Sequence, residues 1–129
     1  MKTDEHRSDL VAGEVTHVIV GACFEVLNGL GHGLHEKPYE NALVVELGLK
    51  NIQVQQQRSF EVVYKSVRVS EFIPDLMVGG SVIVDVKVIE RITDFERGLM
   101  LNYLRITKRR VGLIVNFRKP KLKWERVIL

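Results

Sequence analysis

An acid and a lysine two residues apart interrupt the apolar run at residues 82–89. Side chains alternate between the two faces of a β-strand, so Asp85 and Lys87 share one face and the valines at even positions share the other. A carboxylate is a hard oxygen ligand for a divalent cation, and an ammonium is a point charge for a phosphate. The pair therefore indicates a site for a metal ion and a phosphate. Because so short a motif is common, a strand face that is simply exposed to solvent is the alternative.

A second acid, Asp75, precedes this strand across a glycine turn. A loop over residues 79–81 pairs Val78 with Val82 and sets Asp75 opposite Asp85. A two-residue loop over the glycines would send the acids to opposite faces and bury one of them unpaired among the valines, which is costly. The hydrophobic pattern therefore predicts the first register, in which the Cβ atoms of the two acids lie only ~5 Å apart and a cation between them relieves their repulsion.

Three helices and several strands must position these residues. Apolar residues at helical spacing predict helices at about residues 8–30, 38–48 and 94–107, the second with a proline in its first turn. Strand patterns begin at residue 54, and residues 60–64, 67–73, 75–78 and 82–89 are predicted to form an antiparallel meander. Strands at 111–117 and 122–129 complete the sheet. This order predicts an α/β layer arrangement.

Size and composition favour one domain spanning residues 1–129. The chain is 46% hydrophobic, which is sufficient for a single core. The net charge of +3 and the sequence pI of about 9.1 permit an anionic partner. Basic residues are concentrated in the last quarter of the chain, where they could follow a phosphate backbone, although lysines that protect an edge strand would give the same pattern.

The cellular setting is predicted from two features. Cys23 is the single cysteine, so no intramolecular disulfide can form and a reducing compartment is expected. The first residues lack an apolar signal core, and no run approaches the ~20 apolar residues of a membrane span. We therefore expect a cytoplasmic protein without a membrane partner, in which Cys23 packs in the core.

The segment at residues 31–43 carries Gly33, Glu36 and Tyr39 at the spacing of the GxxExxY protein family, which it resembles. Pro74-Asp75, Asp85-Val86-Lys87 and the segments 101–104 and 111–117 are similar to that family in order and spacing, so the resemblance covers nearly the whole chain. The family is grouped with the PD-(D/E)XK nuclease superfamily. The resemblance implies a restriction-endonuclease-like core, in which a central mixed β-sheet is flanked by helices.

The resemblance also implies a catalytic set, namely Glu36, Asp75, Asp85 and Lys87. Asp75 and Asp85, with the carbonyl of Val86, would hold Mg²⁺ or Mn²⁺, and Glu36 would complete the metal shell directly or through water. Lys87 would orient or help deprotonate the attacking water and offset charge on the phosphorane.

Simpler structural roles exist for several of these positions. Glu36 could be an acid favoured by the dipole of a helix first turn, Gly33 could serve a left-handed turn, and Tyr39 could serve packing. Tyr103 could donate to a substrate phosphate oxygen or be a half-buried core tyrosine. One position departs from the pattern, because Leu99 lies where related members commonly have a glutamine four residues before the tyrosine, and leucine cannot form a hydrogen bond.

Three functions are compatible with these residues. The first is a Mg²⁺-dependent nuclease that hydrolyses phosphodiester bonds of nucleic acid, with DNA favoured over RNA. The second is a non-catalytic nucleic-acid-binding module that keeps the nuclease fold. The third is a protein-interaction subunit, for example a homodimer, in which the charged cluster is structural. Retention of both strand acids and of Lys87 favours the first.

Overall fold

Helical and extended segments follow one another largely as the apolar patterns predict. The computed structural model describes the backbone of residues 2–129 and the side chains of residues 13–129. The helices of this part of the chain are α1 (Lys2–Leu30), α2 (Glu36–Leu49) and α3 (Asp94–Thr107). The strands are β1 (Val54–Gln56), β2 (Phe60–Tyr64), β3 (Val67–Phe72), β4 (Leu76–Val78), β5 (Val82–Lys87), β6 (Val111–Asn116) and β7 (Lys123–Ile128).

Helix α1 begins earlier than the predicted residue 8, and its predicted apolar positions Leu10 and Val11 lie outside the described side chains. It ends at Leu30 as predicted. The next residue, Gly31, has a φ of 76° and donates its N–H to the Leu27 carbonyl at 2.8 Å. This left-handed conformation favours glycine and ends the helix there. In the part of the chain that the structure describes, no helix is long and apolar enough to cross a membrane.

Five strands form a mixed sheet in the order β1-β4-β5-β6-β7, which confirms the predicted fold class. Strands β5 and β6 are parallel and the other neighbours are antiparallel. The parallel pair follows from α3, because a crossover helix returns the chain to the same edge from which β5 began. A βαβ unit therefore carries the charged strand.

The predicted four-strand meander is wrong at its centre. Strands β2 and β3 pair only with each other in a separate two-stranded sheet, and β4 pairs with β1, with Val54 opposite Val78. Pro74 interrupts the chain between β3 and β4 and has no N–H for a ladder. Every side chain of β3 except Phe72 is exposed, so this strand has no apolar face with which to cover the main sheet.

The two faces of the main sheet are covered by different helices. Valines and leucines of β4, β5 and β6 pack with Ile19 of α1 and Leu43 of α2, whereas Met77, Ile83 and Ile114 pack with Met100 and Leu104 of α3. Each fully buried side chain of this kind contributes about 1.5–3 kcal/mol. Alternation along β5 therefore places Asp85 and Lys87 on the α3 face.

The cysteine lies in the first of these layers. Cys23 of α1 is fully buried in the core between α1 and the sheet, as predicted. Burial raises the pKa of its thiol to about 12. The thiol therefore remains protonated and unreactive near neutral pH.

The contact between α3 and β6 leaves no space for one additional carbon. A Cβ at Gly112 of β6 would lie 2.6 Å from Cγ of Met100, which is itself fully buried. We expect Gly112→Ala to lower the free energy of unfolding by about 1–3 kcal/mol, because Met100 must leave its position in a packed core.

Urea denaturation would measure this cost. The control is Gly98→Ala on the exposed side of α3, where a Cβ meets nothing within 4 Å. Alanine is the better helix former, so this control should stabilise the protein by about 1 kcal/mol. Equal effects of the two substitutions would contradict the tight contact at Gly112.

Candidate active site

The β4–β5 hairpin has the register that the hydrophobic pattern predicts. Val78 pairs with Val82 and Leu76 with Val84, so continuation of the register sets Asp75 opposite Asp85. The turn depends on glycine, because residues 79 and 80 have φ values of 61° and 69°. Asp75 and Asp85 are therefore cross-strand neighbours.

Strand β5 presents three polar groups close to Asp75. The backbone N–H of Val86 donates to Oδ2 of Asp75 at 2.8 Å. Oδ2 of Asp85 lies 3.5 Å from Nζ of Lys87, and these side chains are only 16% and 26% exposed. The structure thus brings Asp75, Asp85 and Lys87 together, and it assigns the Val86 N–H to orienting Asp75. The metal-binding role of the Val86 carbonyl stays a prediction.

A glycine loop and a tyrosine position Glu36 at the start of α2. Gly33 has a φ of 81°, and its N–H donates to the Phe117 carbonyl at 2.9 Å. The Tyr39 hydroxyl donates to the Gly31 carbonyl at 2.6 Å and accepts from the Leu34 N–H at 3.0 Å. Within the G-x-x-E-x-x-Y motif, the glycine and the tyrosine therefore fix the loop, while the exposed Glu36 remains available to the site.

Tyr39 also anchors this loop to the sheet. Its ring is fully buried and stacks on Phe117, with ring centroids 4.3 Å apart and planes 5° apart. Phe117 directly follows β6, and its N–H donates to the Lys87 carbonyl at 2.9 Å. The position of Glu36 is thereby connected to the end of the strand that carries Lys87.

Helix α3 and the β2–β3 hairpin form the opposite wall. The ring of Tyr103 stacks on Phe72 with centroids 4.0 Å apart. Tyr103 is partly buried, and burial raises the pKa of its hydroxyl, with the charge of Asp85 adding to the shift. The hydroxyl is therefore a proton donor near neutral pH, although the ring is also part of the packing.

All five predicted side chains border one cavity of about 210 Å³. Its lining includes Glu36, Asp75, Asp85, Lys87 and Tyr103, together with Phe72 and Pro74. The chain therefore presents three acids, an ammonium and a phenol to one space. Leu99 is not among the residues that line it.

Comparison with protein families matches residues 13–127 to the PD-(D/E)XK nuclease superfamily. The chain belongs to the PD-(D/E)XK nuclease superfamily. No curated protein and no solved structure matches the chain. In this chain, Pro74-Asp75 and Asp85-Val86-Lys87 match the letters of that name in order.

Asp75 and Asp85 disturb each other's ionisation. Burial, together with the charge of the neighbouring Asp75, raises the pKa of Asp85 to about 7 against the opposing effect of Lys87. Burial also raises the pKa of Asp75, although the Val86 N–H and a hydrogen bond with Asp85 oppose the shift. The two carboxyl groups are thus close enough to share a hydrogen bond.

Lys87 remains an ammonium. Burial lowers its pKa, but the charges of Asp85 and Glu36 outweigh burial and the net shift is upward. Lys87 is therefore suited to offset negative charge and to orient a water, because a protonated amine cannot accept a proton.

The donor set fits a small divalent cation held by two carboxylates. Mg²⁺ usually keeps several waters and binds through one or two carboxylates, and a cation can replace the proton that Asp75 and Asp85 share. Among residues 13–129, no three side chains of His, Cys, Asp or Glu converge closely enough to form a metal-binding group. Glu36 borders the same cavity and adds a third carboxylate to its lining.

Sequence reasoning missed a fourth carboxylate, Glu40 of α2. This side chain is buried, and its Oε2 accepts from Gln56 at 2.5 Å, from Lys37 at 3.0 Å and from Gln57 at 3.3 Å. Burial raises the pKa of Glu40, but these hydrogen bonds outweigh it and keep the group ionised. Its charge in turn raises the pKa of Asp75. The available signal was its spacing of one helical turn from Glu36.

The ionisation of Asp85 leads to a testable pH dependence. The pKa of Asp85 in the folded protein is about 7 and its ordinary value is 3.8, so the folded state binds this proton more tightly. Stability attributable to Asp85 is therefore greatest at low pH and is lost as the pH rises from about 4 through 7. Asparagine cannot ionise, so we expect Asp85→Asn to exceed the wild type in stability by roughly 1–3 kcal/mol at pH 8 and to lose this advantage near pH 4.

Urea denaturation in EDTA between pH 4 and pH 8 would measure this difference. The control is Glu61→Gln on the exposed β2–β3 hairpin, whose difference from the wild type should not depend on the site. An Asp85→Asn protein with the same pH profile as the wild type would show that Asp85 is an ordinary solvated acid.

Proposed function

We propose that this chain is a metal-dependent nuclease of the GxxExxY type, which hydrolyses phosphodiester bonds of nucleic acid, with DNA as the favoured substrate. The observation that carries the proposal is the contact between Asp75 and Asp85 beside Lys87 in one polar cavity. Two partly buried acids in contact lower the stability of the fold, and perturbed acids in a cleft are typical of catalytic positions.

Mg²⁺ or Mn²⁺ is the cofactor that fits this proposal. Asp75 and Asp85 would hold the ion, with Glu36 contributing through water. Such an ion supplies Lewis acidity toward a phosphoryl oxygen and lowers the pKa of a bound water. The upward pKa shifts of both strand acids support this assignment, because a cation would take the place of the proton that they share.

Three groups of the protein would position the substrate and the metal ligands in this proposal. The Lys87 ammonium would hold a phosphate oxygen or the attacking water in place and offset the negative charge that builds on the phosphorane. The Tyr103 hydroxyl would donate to a second phosphate oxygen from the opposite wall. The Val86 N–H would keep the Asp75 carboxylate aimed into the cavity through the 2.8 Å hydrogen bond already described.

One observation favours the second candidate, a non-catalytic nucleic-acid-binding module. Leu99 removes the amide that related members commonly have one turn before the helix tyrosine. Because Leu99 does not line the cavity, its substitution leaves the acids and Lys87 intact, and we therefore rank hydrolysis first.

Metal binding is the first test. We expect isothermal titration calorimetry to detect binding of Mn²⁺ to the wild type and a loss in affinity of more than about 10-fold in Asp75→Ala and in Asp85→Ala. Glu61→Ala removes an exposed hairpin acid and should bind Mn²⁺ as the wild type does. Unchanged affinity in both site variants would remove the metal site from the proposal.

Catalysis needs a separate measurement. Labelled single- and double-stranded DNA and RNA would be incubated with Mg²⁺ or Mn²⁺, and we expect Lys87→Ala to lower the cleavage rate by about 10²–10³-fold, because it removes charge stabilisation from the transition state. Lys50→Ala removes an equivalent charge near the C-terminus of α2, outside the cavity, and should keep the wild-type rate. Metal binding without any cleavage would favour the non-catalytic module.

A further inference from the structure

A second cavity lies beyond Lys87 on the same face of the sheet. Its volume is about 310 Å³, and it is bordered by Glu90, Arg91 and Ile92 after β5 and by Lys119 and Lys123. Lys87 pairs with Asn116 of β6, and Asn116 pairs with Lys123 of β7. Directly paired residues share a face, so a row of polar side chains runs from the catalytic strand into the second cavity.

Asn116 lies between Lys87, which borders the first cavity, and Lys123, which borders the second. It is buried, with its Oδ1 accepting from the N–H groups of Ile89 at 3.1 Å and Arg118 at 3.2 Å. Its Nδ2 donates to the Ile89 carbonyl at 2.9 Å. The segment that leaves β5 is therefore fixed to the end of β6, and the cavity is built from positioned backbone rather than from a free loop.

The charges around this cavity favour an anion. Glu125 is neutralised by Arg97, whose guanidinium donates to both carboxylate oxygens at 2.7 and 2.8 Å. Glu90 is paired with Lys119 at 3.0 Å. In the described part of the chain, Lys123 and Arg91 have no ion-pair partner and remain available.

The contacts fit a sugar–phosphate backbone better than a base. Trp124 also borders the cavity, but it pairs with Val115, whose side chain packs toward α1, so alternation directs the indole to the opposite face. At the second cavity, the α3 face thus offers ammonium and guanidinium groups without an aromatic platform. Without a ring on which a base could stack, these ammonium and guanidinium groups favour contacts to phosphate oxygens.

We propose that this second cavity binds the phosphate backbone of the nucleic-acid strand adjacent to the phosphodiester held at Asp75, Asp85 and Lys87, an inference that rests on the proposed function. Neighbouring strands lie about 4.8 Å apart, so the row from Lys87 to Lys123 spans roughly 10 Å, comparable to the rise of about three stacked nucleotides. The substrate strand therefore crosses β5, β6 and β7 on the α3 face.

Fluorescence anisotropy in EDTA tests this binding without any cleavage. The probe is a fluorescein-labelled 20-nucleotide DNA, used as a single strand and as a duplex, titrated over a series of salt concentrations. Lys123→Ala and Arg91→Ala should each weaken binding several-fold and reduce the salt slope of log K by about 0.7 for the single strand or 0.9 for the duplex, because each loses one phosphate contact. Lys121→Ala removes an equal charge from the same segment outside the cavity and should change the slope less.

Removal of an acid from the second cavity provides a test in the opposite direction. Glu90→Gln frees Lys119 and removes a negative charge from the cavity, so it should tighten binding several-fold. Its control is Glu46→Gln, which removes an acid paired with Lys50 on α2 at 3.8 Å, and this control should have a smaller effect.

The outcomes separate this inference from the proposed function. If Lys123→Ala and Lys121→Ala weaken binding equally, or if the wild type does not bind the probe, the second cavity is overturned as a backbone site, even where Mn²⁺ binding and cleavage are found. If the cavity variants lose binding as expected while no cleavage is found, the backbone site stands and catalysis fails. Circular dichroism of each variant would confirm that the exposed substitutions leave the fold intact.

Discussion

The site depends on the close approach of two carboxyl groups, which the protein enforces against their mutual repulsion. The Val86 N–H holds Asp75, the β4–β5 register sets Asp85 beside it, and burial raises the pKa of both. The free energy that keeps the acids together comes from the apolar side chains of the same two strands, which pack against helices on both faces of the sheet. A strand that is buried on both faces cannot slip in register to separate the charges, because a slip of one residue would exchange the faces.

The separation of β2 and β3 from the main sheet also shapes the cavity that Asp75 and Asp85 border. Had β3 continued the ladder beside β4, Phe72 would be a sheet residue at that edge. Instead the hairpin stands apart, and Phe72 turns to Tyr103 of α3. The stack closes one wall of the cavity with apolar surface, which lowers the local dielectric and strengthens each charge interaction inside.

Local patterns made much of this predictable. Alternation in 82–89 and the cost of burying an acid were enough to place Asp75, Asp85 and Lys87, and the bounds of α3 followed from its apolar spacing. Contacts between distant segments were not predictable in the same way. The pairing of β1 with β4, the hydrogen bond from Gln56 to the buried Glu40 and the attachment of Asn116 to Ile89 join residues 16–27 positions apart, and no periodicity in a single sequence specifies which distant partners meet.

Helix α3 shows how the site keeps a polar face despite Leu99. Positions 96, 99 and 103 lie on one stripe of a helix, since spacings of three and four residues return to the same side. Hydrogen bonds from Thr93 lower the pKa of Glu96, and the charge of Lys87 adds to this shift, so the capping carboxylate at the start of α3 lies within electrostatic reach of that lysine. Tyr103 borders the cavity two turns further on. Leu99 therefore lies between two polar groups on the same side of α3, namely the Glu96 carboxylate, whose charge favours the ammonium form of Lys87, and the Tyr103 hydroxyl at the cavity. Neither group depends on a glutamine between them.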